Sequence, residues 1–359
     1  MSVKQESRHV LLTGSVPLSS AEEVFLTVAD TLGERAKWVP DGETGERINW
    51  IGFQIPRLLA LPEFELVPTT DRDYTEDLPT VRLKEGVKPE GLKIGNLGYA
   101  DAAKDSFKVF DRLQKEGRIP RSWKFQVSLP TPLATVAGFV HPSHQNAVEP
   151  AYEKQILNEL REIADSIPHD RLAIQWDVAV EFAVLEGVFP VQFDNIKQAI
   201  NERLIRLGSA VPEDIDLGYH LCYGDYKHHH FFEPKDTSKL VAVANAVAEG
   251  VKRPIQWLHL PVPRSRTDDA YFRPLRNLAL HPETELFLGL VHKTDGEEGT
   301  LRRIETAQKV VQGFGVATEC GLGRRPAETI PDLLRIHARV AEGGAAAGAT
   351  SAAASARSR

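Results

Sequence analysis

The chain has 359 residues, of which 42% are apolar and 26% charged, the balance of an ordinary folded globular protein. Its net charge of −7 argues against a nucleic-acid partner, because a phosphate-binding surface usually carries a basic excess. No apolar run approaches the roughly 20 residues that cross a bilayer, and the polar N-terminus lacks the apolar core of a signal peptide. Because two cysteines in so long a chain fit a reducing compartment, we expect a cytoplasmic protein without a membrane partner.

Eight short, mostly apolar segments alternate with segments of helical periodicity along the chain. The predicted strands lie within residues 8–13, 36–40, 124–129, 172–176, 216–225, 255–260, 285–291 and 315–323. The predicted helices lie within residues 20–32, 102–116, 149–166, 191–207, 237–249, 270–279, 297–313 and 327–341. Strands that alternate with helices pair in parallel, so eight such units predict an α/β fold, a (β/α)8 TIM barrel.

The barrel is predicted to be a single domain over residues 1–341 with one long insertion after the second strand. Residues from about 51 to 100 have poor helical periodicity and several prolines, which favours an insertion, with a hairpin, laid over one end of the barrel. Residues 342–359 are rich in Ala, Gly and Ser and offer no apolar stripe to bury, so we expect a disordered tail.

Polar side chains follow most of the predicted strands, where barrels of this type carry their chemistry. His220 and Cys222 stand two residues apart in a strand, so both side chains project to one face. The other cysteine, Cys320, also lies at a strand end. Imidazole and thiolate suit zinc, whereas the alternative is two buried thiols that act as small hydrophobes. The further candidates at the strand ends are Ser15, Glu43, Asp177, His259 and His292.

Two other histidine features have open interpretations. His292 ends the seventh predicted strand and is either a proton carrier, since histidine titrates near neutral pH, or a structural residue. The run His228–His230 follows the strand of His220 and is either a site for a metal or an anionic substrate, or a solvated loop.

Short motifs in matching order indicate a distant resemblance that covers most of residues 8–341. The chain resembles the C-terminal catalytic barrel of cobalamin-independent methionine synthase, within the wider group that includes uroporphyrinogen decarboxylase. The motifs are Thr-Gly-Ser-Val-Pro at 13–17, Asp-Gly-Glu at 41–43 with Arg47, Ile-Gln-Trp-Asp at 174–177, Tyr-His-Leu-Cys-Tyr at 219–223 and Glu-Cys-Gly-Leu-Gly-Arg at 319–324.

The resemblance implies a zinc site held by His220, Cys222 and Cys320. The fourth ligand of the family is a glutamate, which should fall within residues 255–265, where this chain has no acid. His259 is the nearest replacement, and a water or a substrate thiol is the alternative. The resemblance also implies that Ser15, Glu43 and Asp177 contact an amino-acid substrate.

The implied function is a zinc-dependent methyltransferase that activates a small thiol or amino-acid substrate, with a methylated folate as one candidate donor. Asp177 and His292 are the candidate catalytic residues. The family's Asp-Glu-Pro-Ala is Asp-Val-Ala-Val here, and its Asn-Pro-Asp-Cys is Ala-Thr-Glu-Cys, which predicts an altered substrate pair. The alternatives are a metal-free lyase or decarboxylase of the uroporphyrinogen decarboxylase type and a non-catalytic barrel that binds a small metabolite.

Overall fold

A parallel sheet forms the centre of the structure, a computed structural model that describes residues 7–67, 79–226 and 229–343. Most of the predicted tail at 342–359, and His228, lie outside these residues. The strands are β1 (Trp38–Pro40), β2 (Phe64–Val67), β3 (Thr80–Leu83), β4 (Lys124–Pro130), β5 (Leu172–Val178), β6 (Asp216–Leu221), β7 (Trp257–Pro261), β8 (Glu285–Val291) and β9 (Phe314–Thr318). Within this part of the chain, seven of them pair in parallel in the order β1-β4-β5-β6-β7-β8-β9, and β2 pairs antiparallel with β3.

The predicted first strand, at residues 8–13, is not a regular strand. Val10 forms single parallel bridges, one with Ala36 and one with Val316, and Leu11 N–H donates to the Val316 carbonyl at 3.0 Å. Residues 8–13 thus form a seam between β1 and β9. Because β1 has three residues, this seam is too short for a regular ladder of β-pairs. The prediction of a closed eight-stranded barrel is therefore wrong for the described residues, whereas the alternation of parallel strands with helices is confirmed.

Aromatic contacts across the sheet demonstrate that it curls. The rings of Trp38 and Trp257 lie 4.4 Å apart, although three strands separate β1 from β7 in the sheet. A Cβ added to Gly218 in β6 would lie 1.8 Å from the Trp257 ring, so glycine leaves the space that this ring fills. The apolar cluster formed here consists of Leu11, Trp38, Ala173, Trp257, Phe287 and Ala317.

Helices follow the strands and pack around the sheet. Ser20 caps the first helix, since its Oγ accepts from Glu23 N–H at 3.2 Å. The helices are α1 (Ala21–Thr31), α2 (Gln54–Leu59), α3 (Tyr99–Lys115), α4 (Pro132–Phe139), α5 (Gln145–Ser166), α6 (Val180–Leu185), α7 (Ile196–Ser209), α8 (Ser238–Gly250), α9 (Asp269–Phe272), α10 (Gly296–Gln308) and α11 (Ile330–Ala341). Short 3-10 helices span Gly33–Arg35, Gly45–Phe53, Pro89–Gly91, Pro142–His144, His169–Arg171, Arg273–Asn277 and Ala327–Thr329.

Three of these helices were not predicted from the sequence: α2, within the predicted insertion, and α4 and α6, which lie next to strands. Helices α4 and α6 each begin within two residues of the end of a strand, and every residue of α4 is buried. A helix that is apolar on all sides has no amphipathic stripe, so periodicity cannot identify it.

The segment between β1 and α3 contains the 3-10 helix Gly45–Phe53, helix α2 and the hairpin of β2 and β3. The hairpin meets the end of α4, where His141 N–H donates to the Val81 carbonyl at 2.8 Å. This contact holds the hairpin against the C-terminal end of α4, the helix that follows β4. Among the helices in the described ranges, none combines the length and the apolar character needed to cross a membrane.

Candidate metal and substrate site

A cavity of about 600 Å³ opens at the carboxyl ends of the strands. Its wall is largely apolar and includes Trp50, Phe53, Phe139 and Phe231. His259 and His292 do not line it. Six of the predicted site residues do, namely Ser15, Glu43, Asp177, His220, Cys222 and Cys320.

Three of these lining residues form a cluster that suits a metal ion. His220 lies in β6 and Cys222 follows directly after that strand, whereas Cys320 stands two residues beyond β9. One ligand atom from each side chain lies within 4.8 Å of the other two. The curl of the sheet therefore brings together residues about 100 positions apart in the chain.

The electrostatics of the cluster agree with a set of cation ligands. Burial, together with the neighbouring His259, lowers the pKa of His220 well below its ordinary value, so the imidazole is neutral. A hydrogen bond with Cys320 and burial raise the pKa of the Cys222 thiol. A bound cation would instead lower the pKa of a coordinating thiol and favour the thiolate. Two sulfurs and a neutral imidazole are the donor types that zinc prefers, so the residues fit the metal that the resemblance implies.

His259, expected as the fourth ligand, contacts the cluster through His220. In the register of the sheet His259 pairs with His220, and the two Nδ1 atoms lie 2.7 Å apart. The Nε2–H of His259 donates to the Thr318 carbonyl at 3.0 Å. Because burial lowers the pKa of His259 to about 4, the ring is neutral, and its Nδ1 carries a lone pair that accepts a hydrogen bond from His220 Nδ1–H. Among the described residues the cluster of ligand atoms within 4.8 Å does not include His259.

Glu43 and Asp177 bring two buried carboxylates to the cavity. Asp177 accepts hydrogen bonds from Gln175 Nε2 at 2.8 Å and from Trp50 Nε1 at 3.2 Å. Burial raises the pKa of Asp177 well above its ordinary value, and burial and the charge of Asp177 raise that of Glu43. A cation such as an ammonium group would stabilise both carboxylates in their charged form.

The neighbouring Arg47 is paired with a different acid. Its guanidinium donates to both oxygens of Asp41, at 2.6 and 3.3 Å. Ser106 Oγ donates to the same carboxylate at 2.7 Å. Asp41, rather than Glu43, therefore anchors the loop through Arg47.

Two residues that line the cavity have strained backbones. Glu43 has φ 50° and Trp50 has φ 55°, a region that residues other than glycine seldom adopt. Asp41 Oδ1 accepts from Glu43 N–H at 2.9 Å and stabilises this conformation. Gly14 leaves room for the carboxylate, since a Cβ there would lie 3.2 Å from Glu43 Oε1. Such strain concentrates at functional sites because the surrounding structure must hold it.

Ser15 ties the loop after Cys320 to the start of the chain. Its Oγ accepts from Gly323 N–H at 3.1 Å, and its carbonyl accepts from Leu322 N–H at 2.7 Å. A Cβ on Gly321 would lie 2.4 Å from Ser15 Oγ, so a larger residue there would displace this hydroxyl from its hydrogen bond. The Ser15 side chain thus helps to position Cys320.

A second group of ionisable residues lies beside the cluster. Glu319 contacts His230 Nε2 at 3.1 Å and His292 Nδ1 at 3.7 Å. His292 Nε2 donates to the Val262 carbonyl at 2.8 Å, and burial lowers its pKa. Burial acts to lower the pKa of His230, but hydrogen bonds to Glu233 and Glu319 raise it to about 10. The Glu319 contacts and the Trp50 contact were not predicted, because no local sequence pattern marks them.

Comparisons with known proteins identify structural neighbours only. No family model and no curated protein sequence matches the chain. A Listeria monocytogenes structure described as a candidate vitamin-B12-independent methionine synthase is 15% identical, covers 89% of this chain and 86% of its own, and has a TM-score of 0.53. A B12-independent methionine synthase from Shewanella sp. W3-18-1, solved in complex with selenomethionine, is 14% identical and covers 94% of this chain and 97% of its own, with a TM-score of 0.53.

A methyltransferase from Methanosarcina mazei is 11% identical and covers 94% of this chain and 95% of its own, with a TM-score of 0.52. At such low identities the three structures show a likeness of fold alone. The predicted resemblance to cobalamin-independent methionine synthases is thereby confirmed as a likeness of fold, at the sequence distance expected of a distant member.

Proposed function

We propose that the chain is a zinc-dependent methyltransferase that transfers a methyl group to a thiol substrate. The observation that carries the proposal is the cluster of His220, Cys222 and Cys320, whose ligand atoms lie within 4.8 Å of one another at a cavity that also holds the carboxylates of Glu43 and Asp177. The structural neighbours named as methionine synthases and as a methyltransferase support methyl transfer as the class of reaction.

His220, Cys222 and Cys320 would hold the zinc ion. Bound zinc lowers the pKa of a substrate thiol, so that a thiolate is available near neutral pH. Three protein ligands are the number typical of catalytic zinc sites, where one position stays open to substrate. We assign His259 the task of orienting His220, because its Nδ1 faces His220 Nδ1 at 2.7 Å.

The acceptor is proposed to be an amino acid with a thiol side chain. Glu43 and Asp177 are buried, and the pKa of each is raised by burial, so an ammonium group would relieve the cost of their ionisation. Trp50 and Gln175 hold the Asp177 carboxylate in place. The selenomethionine in the Shewanella structure supports this acceptor class, because it has the size and shape of the methylated amino acid that the proposed transfer would form.

In the transfer step, the acceptor sulfur forms a bond to the methyl carbon of the donor. The bond between that carbon and the donor breaks, and its electron pair leaves with the donor. His292 does not line the cavity and donates its Nε2–H to the Val262 carbonyl, so we assign it a structural role, and the proton for the departing donor is proposed to come from water at the cavity opening. The apolar wall that includes Trp50 and Phe231 keeps water from the reacting sulfur.

Metal analysis of untagged protein tests this proposal, since the run His228–His230 complicates affinity purification on metal. We expect about one zinc per chain, and Cys222→Ser and Cys320→Ser should each lose it together with methyl transfer to homocysteine. His337→Gln, which alters a buried histidine outside the cavity, is the matched control and should keep zinc. Full activity of Cys222→Ser, or wild-type protein without zinc, would overturn the proposal.

The same measurements separate the alternatives. A metal-free lyase of the uroporphyrinogen decarboxylase type would keep its activity when Cys222 is replaced. A barrel that only binds a metabolite would be stabilised against heat by its ligand but would transfer no methyl group from a methylated folate or any other donor.

A further inference from the structure

We propose that Arg324 binds the carboxylate of the amino-acid acceptor and so selects for an α-amino acid. The inference rests on the proposed function and adds a residue to it. Arg324 lines the same cavity as Glu43, Asp177 and Cys320. A guanidinium group matches a carboxylate in shape and charge, because it donates two parallel hydrogen bonds.

The loop that carries Arg324 is fixed in position. Leu322 N–H and Gly323 N–H both donate to Ser15, at 2.7 and 3.1 Å, and Arg325 N–H donates to the Leu322 carbonyl at 2.9 Å. A Cβ on Gly323 would lie 2.6 Å from the Ile48 carbonyl oxygen, so the backbone packs closely there. The Cα of Arg324 is therefore held beside Ser15 before a ligand arrives, which lowers the entropy lost on binding.

The guanidinium of Arg324 is not tightly paired within the part of the chain that the structure describes. Its nearest acid there is Asp225, with 3.8 Å between Arg324 Nη1 and Asp225 Oδ2, a distance beyond a hydrogen bond. The Arg324 side chain keeps 19% of its surface exposed. By contrast Arg47 makes two hydrogen bonds to Asp41. Arg324 thus has N–H groups that can donate to a ligand in the cavity.

The charges around the cavity have the pattern of a zwitterion binding site. Among the described lining residues Arg324 is the one arginine or lysine, against the acids Glu43, Glu46, Asp177 and Asp225. Glu46 pairs with Arg57 and is 64% exposed, and Asp225 lies beside Arg324 itself. The buried acids that can hold an ammonium group are therefore Glu43 and Asp177. Charges of both signs near one sulfur site match the amine, carboxylate and sulfur of an amino-acid thiol.

The test compares L-methionine, the expected type of product, with 3-(methylthio)propylamine, which lacks the carboxylate. Binding of each to the zinc-loaded full chain is measured by calorimetry. Arg324→Gln should weaken L-methionine binding by about tenfold or more, since a hydrogen-bonded charge pair is lost, and should change binding of the amine by less than about twofold. Arg325→Gln, the same change one residue along the loop, is the control and should alter neither.

The possible results distinguish this inference from the function on which it rests. Equal weakening of both ligands by Arg324→Gln, or no weakening of L-methionine, overturns the role of Arg324 and leaves the acceptor class intact. Wild-type protein that binds the amine as tightly as L-methionine also overturns it. If wild-type protein with a full complement of zinc binds neither ligand, the proposed acceptor class itself is wrong and the inference falls with it.

Discussion

Nδ1 of His220 lies 2.7 Å from Nδ1 of His259, and the Thr318 carbonyl accepts from the other ring nitrogen of His259 at 3.0 Å. This chain of contacts fixes which nitrogen of each ring carries a proton. His259 donates through Nε2 and accepts through Nδ1, so His220 must donate through Nδ1. The lone pair of His220 is then confined to Nε2, which leaves that nitrogen available to a metal ion.

Replacing His259 should weaken zinc binding without removing a ligand. We expect His259→Phe to lower zinc affinity by about 10- to 100-fold, the usual effect of losing a partner that orients a ligand. X-ray absorption should find one imidazole bound to zinc in both proteins. His337→Phe also removes a fully buried histidine and is the control that should bind zinc normally. A wild-type spectrum with two imidazoles would identify His259 as the fourth ligand instead.

The parts of the site that depend on strand ends could be predicted from the sequence. His220 and Cys222 follow the alternation of a strand, and Cys320 follows an apolar run that ends in a glycine turn. Parallel strands in a curled sheet bring their carboxyl ends to the same edge of the sheet. The convergence of His220, Cys222 and Cys320 therefore followed from the predicted fold.

The parts that depend on long-range packing could not be predicted. Trp50 lies in a segment without periodicity, and its contact with Asp177 spans 127 positions of the chain. The bond of Ser15 Oγ to Gly323 N–H spans 308 positions. No local pattern encodes such pairs. The strand count failed for a related reason, because the seam at Val10 consists of single bridges rather than a ladder.

The raised pKa of Glu43 makes its effect on stability depend on pH. Burial and Asp177 raise this pKa, so above the ordinary value of about 4.3 the folded chain holds a proton that the unfolded chain has lost. Stability therefore falls as pH rises through this range. We expect Glu43→Gln to melt at a higher temperature than wild type at pH 8 but not at pH 4. The exposed Glu46, changed to Gln, is the control; a lower melting temperature of Glu43→Gln at pH 8 would contradict the argument.

His230 should have the opposite dependence on pH. Hydrogen bonds to Glu233 and Glu319 outweigh burial and raise its pKa to about 10. The stabilisation from its charge is fully present below the unfolded pKa of about 6.5 and is lost as pH rises toward 10. Chemical denaturation at several pH values should find His230→Gln less stable than wild type at pH 6, with a difference that shrinks steadily to pH 10. A difference that does not change with pH would mean that His230 contributes through packing alone.

The close contact of Gly218 with Trp257 offers a test of the curled sheet. A Cβ at Gly218 would lie 1.8 Å from the Trp257 ring, which is fully buried and packs on Trp38 at 4.4 Å. We expect Gly218→Ala to lower the free energy of unfolding by about 1–3 kcal/mol or more. Gly91→Ala, at a site with nothing within 4 Å of the added Cβ, is the control. If both variants unfold alike in urea, the contact is looser than the structure describes.

Trp50 should control amine binding through a single hydrogen bond. Its Nε1–H donates to Asp177 Oδ2 at 3.2 Å, and Asp177 is proposed to hold the ammonium group of the acceptor. Trp50→Phe keeps an aromatic ring in the cavity wall but removes the donor, so the carboxylate loses one of the bonds that orient it. We expect L-methionine to bind about tenfold more weakly, the usual effect of losing a hydrogen bond to a charged group. Binding of 3-(methylthio)propanoate, which has no amine, should stay the same, and equal losses for both ligands would assign Trp50 to packing rather than to the orientation of Asp177.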